Sequence, residues 1–462
     1  MSADSWLAPL ALTVVVAPAV TFSIVSLALL VRRTPTERVV GRLAFGAVTI
    51  SFLSSMALSL LWLTGDRDAV DLHIARWFGV GHYGFEVAFL IDRLSMTLLP
   101  LVSGVVLVIT RFAIPYLHRE QGFARFFGQL MLCAVGESVV VLAGSADLLI
   151  VGWEFVGLSS ALLVAFFHER TAPARAAVRV FTTYRLCDVG LLVGAMALHG
   201  VAGSSDFTEA FRTTGWPGEA APLSVLGATA LALCFGLAAA GKSAQFPVGN
   251  WLARAMEGPT PSSALFYGGP VVHTGIFLLL RLAPLFERAP LASAALVGIG
   301  LFTSLHATLA WRVQTDQKSA LAYATMTQLG LIVAECGLGW WMIALAHTAA
   351  HLCLRTFQLL RAPSALRDAH ILWATNHGRP VPAPEVLPRF APGGIYRWLY
   401  RFGLERSYCD IVIDRYLVQP VLTLGRQLDA LERRSFAAFG GMDPRRETTA
   451  SHMPGAFGEE LQ

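Results

Sequence analysis

The stretch AAAGKSAQFPVGNWLARAMEGPTPSSAL, from Ala238 to Leu265, decides the fold, because it places a lysine in an apolar helix that its own sequence breaks. Leu223 to Ala240 is a continuous run of apolar and small residues, so Lys242 falls near hydrocarbon depth. A cation there costs roughly 2.5–3.5 kcal/mol on insertion scales, and something must compensate for it. Pro247 removes a backbone donor, and Gly258, Pro259 and Pro261 restart the chain. Such a pattern fits a discontinuous helix lining a polar cavity, a place that water and protons reach. The plainer alternative is a lysine snorkelling to the interface from a helix end.

Working outward, the chain is 462 residues long, 55% hydrophobic and only 14% charged, with a mean hydropathy of +0.58. That is too apolar for a soluble globular protein. Runs of about 18 or more apolar residues predict eleven spans, near 7–31, 41–63, 94–112, 126–143, 147–167, 177–200, 223–251, 262–283, 291–311, 319–338 and 340–360. The fold class expected is therefore an all-α polytopic membrane protein of 11 or 12 transmembrane helices. Every second loop is basic: Arg32, Arg33, Arg38 and Arg42, then His118, Arg119 and Arg125, then Arg170, Arg175 and Arg179. The loops between them, 64–93 and 201–222, mix or favour acids. Basic loops stay cytoplasmic, which predicts an N-terminus outside and a cytoplasmic tail after Arg361. No basic residue precedes the first apolar run, so it reads as an ordinary span and not a cleaved signal.

The net charge of +4 reflects this arginine bias, and no basic, aromatic-interleaved strip points to nucleic acid. Six cysteines are scattered without a CxxC pair and read as small apolar residues. Residues 1–370 form the predicted membrane domain, and 371–394, rich in proline, glycine and arginine, a linker. Residues 395–436 alternate apolar with charged side chains, which predicts amphipathic helices lying on the membrane or against a partner. A solvated helical tail has the same pattern. Residues 437–462 read as disordered.

Ionisable residues inside spans are candidate functional groups. Glu154 lies within the fifth span, where either a relay role or a local structural partner accounts for it. Arg185 and Asp188 are three residues apart on one helix face and can pair. Glu137 in the fourth span has no motif around it. His347, His351 and Arg355 recur every four residues and make a polar stripe on the eleventh span. Two histidines at that spacing can ligate a metal, but the HExxH glutamate and a third ligand are missing, so no metal is assigned. His273 and His306 add groups that titrate near neutral pH. Lys318 opens the tenth span.

The segments GWEFVGLSS, GKSAQFPVGNWLARAMEGPTPSSAL, QTDQKSALAYATMTQLG and HTAAHLCLR, spread over roughly residues 85 to 370, resemble chain L of NADH-quinone oxidoreductase and its antiporter-like relatives. By that resemblance Glu154 is the coupling glutamate, Lys242 the broken-helix lysine, and Lys318 the lysine of a TDIK-like segment. His347 and His351 are the paired histidines, with Arg355 where a lysine is usual. The fold implied is a pair of inverted five-helix repeats, each with a broken helix. The sequence departs from that pattern after His370, where it passes into the linker without a second broken helix or its lysine, so the second repeat reads as truncated. Tyr267 stands where a histidine is usual, with His273 six residues later.

These departures, with HLCLRTFQLLRAPSALRDAH and YRWLYRFGLERSYCDIVIDRYLVQP, resemble the DabB subunits of inorganic carbon accumulation complexes. That resemblance implies a subunit conducting protons or sodium ions to drive a large cytoplasmic DabA-type partner. The partner would hold a zinc site and convert CO2 to bicarbonate, with no cofactor in this chain. The alternatives are a proton-translocating subunit of NADH-quinone oxidoreductase or of a multisubunit antiporter, and a non-conducting membrane anchor.

Overall fold

A computed structural model describes residues 3–65, 68–80, 83–213, 215–314, 316–375, 393–405 and 409–440. The apolar runs form helices α1 (Leu7–Leu30) and α2 (Glu37–Thr64), followed by strands β1 (Ala69–Val80) and β2 (Tyr83–Asp92). Then come α3 (Arg93–Tyr116), α4 (Phe123–Leu142), α5 (Ala146–Val164), α6 (Thr171–Ala202), the short α7 (Phe207–Phe211) and α8 (Val225–Lys242). The broken region holds α9 (Trp251–Arg254), α10 (Thr260–Ser263) and α11 (Pro270–Arg281), and α12 (Ala283–Glu287) leads into α13 (Pro290–Arg312). After α14 (Gln317–Gly337) and α15 (Trp341–Thr375), the tail forms α16 (Gly393–Leu404), α17 (Cys409–Ile413) and α18 (Gln419–Gly440).

Among the described residues nine helices are long and apolar enough to cross a membrane. The tenth and eleventh predicted spans are helices too, α14 and α15, but Gln328, Glu335, His347, His351 and Arg355 dilute their apolar character. The loop expected at 64–93 instead holds an antiparallel hairpin, in which Ala69 pairs with Asp92 and Val80 with Tyr83. The seventh predicted span, 223–251, ends early: α8 stops at Lys242, so this residue occupies a helix terminus and not a helix interior. The linker expected from residue 371 begins inside α15, which runs on to Thr375, and residues 376–392 lie outside those described. Most of the tail expected to be disordered, 441–462, also lies outside them.

The middle of the bundle is the broken region. Every residue of the most apolar stretch of Thr260–Arg281 is buried, against 28% of that of α1 and 33% of that of α13. The outer helices turn Leu27, Leu60, Met196 and Leu305 outward, as a surface meant for lipid does. Small residues let backbones close on one another at the centre. A Cβ on Gly136 of α4 would stand 2.8 Å from the carbonyl oxygen of Gly152, and one on Gly152 of α5 would stand 2.7 Å from that of Gly136. The next residues along are Glu137 and Trp153–Glu154, so this tight crossing carries charged groups to the bundle axis.

Asp92 ends the hairpin and caps α3: Ser95 N–H donates to Asp92 Oδ1 at 2.9 Å, and Asp92 N–H to Ser95 Oγ at 3.0 Å. The same carboxylate forms an ion pair with Arg281, the last residue of α11, and both side chains are buried. Removing one partner of such a pair costs about 3–5 kcal/mol, because the other charge is left unpaired. Arg281→Met should therefore lower the thermal unfolding temperature of the purified protein sharply, and adding Asp92→Asn should recover part of the loss, since asparagine still caps α3. Equal instability of the single and double variants would contradict the pairing as the cause.

Candidate functional site

Lys242 is the last residue of α8 and is only 1% exposed. The helix end is satisfied locally, with Ser243 N–H donating to Ala239 O at 2.8 Å and Gln245 N–H to Ala240 O at 2.8 Å. Trp251 from the restarted chain donates its Nε1–H to Gly241 O at 3.0 Å. Ala244 adopts a left-handed φ of +51° as the backbone turns away. Lys242 Nζ donates to Trp153 O at 3.2 Å and stands 4.3 Å from the ring centre of Tyr184 and 4.9 Å from that of Trp153. Ring faces and a carbonyl stabilise an ammonium without fixing it to one anion.

Carboxylates surround this lysine at longer range. Asp188, Glu154 and Glu137 all interact with it electrostatically, as does Arg185. Arg185 binds Asp188 at 2.8 Å, three residues along α6, and forms an ion pair with Glu154 of α5. Trp153 Nε1–H donates to Asp188 Oδ1 at 2.5 Å. Glu154 is thus held by Arg185 and not by Lys242, in a chain of alternating signs. A Cβ on Gly157 would lie 3.0 Å from Lys242 Nζ and 3.1 Å from Arg185 Nη2, so the absence of a side chain there lets the two cations share one chamber.

A second polar row starts on the other side of α8. Ser243 Oγ–H donates to Val272 O at 2.6 Å, which fixes the end of α8 beside His273 on α11. Thr274 Oγ–H donates to Glu137 Oε1 at 3.1 Å. His273 Nδ1 lies 2.7 Å from Gly269 O, so this nitrogen carries the proton and Nε2 accepts from His351 Nδ1–H at 2.9 Å. His351 Nε2 is then a buried acceptor without a partner among the described residues. Further along α15, His347 Nδ1 meets Glu335 at 2.9 Å and its Nε2 meets Gln328 Oε1 at 3.0 Å. Arg355 donates to Gln358 Oε1 at 2.9 Å, is largely buried, and acts on His351 electrostatically.

Lys318 stands apart from both rows. It lines an open cleft of about 1070 Å³ with Arg175, Arg179, Glu257 and Asp316, closed on one side by Asp414 and Arg426 of the tail. Asp414 forms an ion pair with Arg179 of α6. His306 on α13 faces Asn250 at 3.3 Å and the ring of Phe402 in α16. The hairpin and the cap of α7 together carry the group of possible metal ligands found among the described residues, Asp71 and His73 with Asp206, each offering an atom within 4.8 Å of the others. Burial and the neighbouring Asp206 push the Asp71 carboxyl above its ordinary value. The cluster is remote in the fold from the lysine chamber, and its histidine is bound to Glu86 at 2.9 Å.

Two family descriptions match the chain: "NADH:quinone oxidoreductase/Mrp antiporter, TM" over residues 143–372, and "NADH-Ubiquinone oxidoreductase (complex I), chain 5 N-terminus" over residues 77–127. The chain belongs to this complex I and Mrp antiporter-like family of membrane subunits. It is 35% identical over 332 residues to the chloroplastic NAD(P)H-quinone oxidoreductase subunit 5 of Nephroselmis olivacea, covering 71% of this chain and 51% of that protein. It is 32% identical over 343 residues to NADH-quinone oxidoreductase subunit L of Neisseria meningitidis, covering 70% and 50%. The chain spans about half the length of the curated relatives it matches. A chain of the Mrp complex from Dietzia sp. DQ12-45-1b has a similar structure, with a TM-score of 0.63 and 26% identity over 75% of this chain and 37% of that one. The archaeal membrane-bound sulfane sulfur reductase shares the fold, with a TM-score of 0.64 at 16% identity over 76% and 70%.

Glu335 and Tyr184 lie in none of the segments quoted above, and Trp153 and Gln328 lie inside them but show their part only through packing. One signal in the sequence was available: of 35 basic residues only two are lysines, Lys242 and Lys318. Arginine does not give up its proton at accessible pH, whereas lysine does. Arg185 should matter as the shared counter-ion of two carboxylates. Glu154 and Arg185 are 33% and 35% exposed, so their coupling is expected on the order of 1 kcal/mol. In a double-mutant cycle on the purified protein, Arg185→Gln should be less stable than Arg185→Gln with Glu154→Gln. Additive effects would show that the pair is not coupled.

Proposed function

We propose that this chain is a proton-conducting membrane subunit of a larger complex and that conduction turns on Lys242. The observation that carries this reading is a lysine buried at a broken helix end, held by aromatic faces and a carbonyl, with carboxylates on one side and a histidine row on the other. In this reading Glu154, Arg185 and Asp188 set the field in which Lys242 takes up and releases a proton. His273, His351 and His347 relay it, while Arg355 keeps a permanent charge beside His351. Lys318 loads the path from the cleft. Sodium is the other ion such a chamber could serve.

Two complexes fit. The similarity to NADH-quinone oxidoreductase and Mrp subunits favours a proton-translocating subunit of such a redox or antiporter assembly. The finer reading is the DabB one, in which the chain sits in a bacterial inner membrane, N-terminus outside, and drives a large cytoplasmic zinc protein that converts CO2 to bicarbonate. Its support is the tail: after α15 the described chain forms amphipathic helices that fold back on α6 and α13, through Asp414–Arg179 and Phe402–His306, and flank the cleft. That arrangement suits a soluble partner docking beside Lys318.

Lys242→Ala should reduce proton flux through the reconstituted complex to background while the protein still inserts and binds its partners, and Lys242→Arg should not restore it. Undiminished flux in the alanine variant would remove Lys242 from the path. Purification from the native membrane separates the two complexes: a large zinc protein should co-purify in the carbon-uptake reading, and quinone-reducing or antiporter subunits in the other.

A further inference from the structure

Helix α14 begins at the cleft and ends on the far side of the bundle. Lys318 is its second residue, and Glu335 stands two residues before its last, Gly337. The 17 residue-to-residue steps from 318 to 335 rise about 25 Å as an α-helix, most of the ~30 Å thickness of a hydrocarbon core. Glu335 therefore lies near the face opposite the cleft.

Glu335 and His347 differ from the rest of the histidine row in their access. Their side chains are 18% and 24% exposed, whereas His273, His351 and Glu137 are buried. His347 Nδ1 is 2.9 Å and 3.2 Å from the two carboxylate oxygens, and Nε2 is 3.0 Å from Gln328 Oε1. Both ring nitrogens face oxygen, as a doubly protonated ring requires. Turning the Gln328 amide end for end would instead offer N–H to Nε2 and suit the neutral ring. The site thus accepts both charge states of His347 without backbone movement. Toward the bundle axis, the His351 ring centre is 6.4 Å away, one helical turn along α15.

Resting on the reading of this chain as a proton conductor, we propose that Glu335 is the proton exchange site between the histidine row and water on the face opposite the cleft. The Nδ1–H bond of His347 breaks as an O–H bond forms on Glu335, and the neutral carboxylic acid then gives that proton to water. No electron moves. His347 is left neutral and takes its next proton from the side of His351, and the sequence runs backwards for uptake. Among the other ionisable groups on the packed elements, Glu287 of α12 accepts from Trp341 Nε1 at 2.7 Å, His306 and Arg312 of α13 lie toward the cleft end, Arg254 of α9 lines the cleft, and Arg281 of α11 is bound to Asp92. On α11, His273 is bound to His351.

The test is proton flux through the complex in liposomes, with pH varied independently on the two sides. Glu335→Gln should slow flux about tenfold or more and abolish its dependence on pH at the face where α14 ends, while the dependence at the cleft face persists. Glu335→Asp should conduct with a displaced pH profile at that same face. A carboxylate that only ties α14 to α15 would be replaced by the glutamine amide without kinetic effect. Wild-type flux and profile in Glu335→Gln, with none in Lys242→Ala, would overturn the role of Glu335 and leave conduction through this chain standing. If Glu335→Gln does not accumulate, the aspartate variant decides alone, an unshifted profile overturning the proposal. Absence of flux in the wild-type complex would overturn both readings.

Discussion

An ammonium group taken out of water must find compensation within a few ångströms, and Lys242 finds it at the buried end of a helix that stops where the chain breaks. Neither feature is tolerable alone. A continued helix would carry the lysine in an unbroken apolar wall, and a helix stopped in lipid would leave carbonyls without donors. Together they work because Trp251 donates to Gly241, Ser243 ties the end to α11, and Trp153 supplies both a ring face and a carbonyl to the ammonium. The close crossing of α4 and α5 at Gly136 and Gly152 follows from the same need, since it brings Glu137, Trp153 and Glu154 to the axis.

The electrostatics then divide into fixed and exchangeable charges. Arg185 cannot lose its proton and is bound to two carboxylates, so Glu154, Arg185 and Asp188 act as a permanent cluster. In the proposed path Lys242, His273, His351, His347 and Glu335 are the groups whose charge changes, and they follow one another from the end of α8 through α11 and α15 to α14. Arg281 and Asp92 form a second fixed pair, which anchors α11 to the root of the hairpin and so holds His273 in place. Fixed charges shape the chamber and exchangeable ones act in it.

Much of the membrane domain was legible because hydrocarbon thickness sets helix length: the first nine predicted spans coincide with the nine described stretches of helix long and apolar enough to cross a membrane. The hairpin at 69–92 was not, because its acids and short apolar runs read as loop until β1 and β2 are paired. The end of α8 was misplaced by nine residues, from 251 to 242, since Phe246, Val248 and Trp251 extend the apolar run while the backbone leaves the helix at Ser243. In the site, Lys242, Asp188, His273, His347 and His351 stood out as ionisable residues in apolar runs. Their partners did not: the pairing of Glu154 with Arg185 and of His347 with Glu335 depends on which helices touch, which no local pattern encodes.

The protonation of Lys242 itself tests the central claim most directly. Because the chain has only two lysines, ¹⁵N-lysine labelling of this chain alone, assembled with unlabelled partners in membranes, gives two side-chain signals, Lys242 and Lys318 in the cleft. The account predicts that the Lys242 Nζ signal passes between ammonium and amine forms within the pH range over which the complex conducts. A Lys242 signal held in one form across that whole range would contradict it.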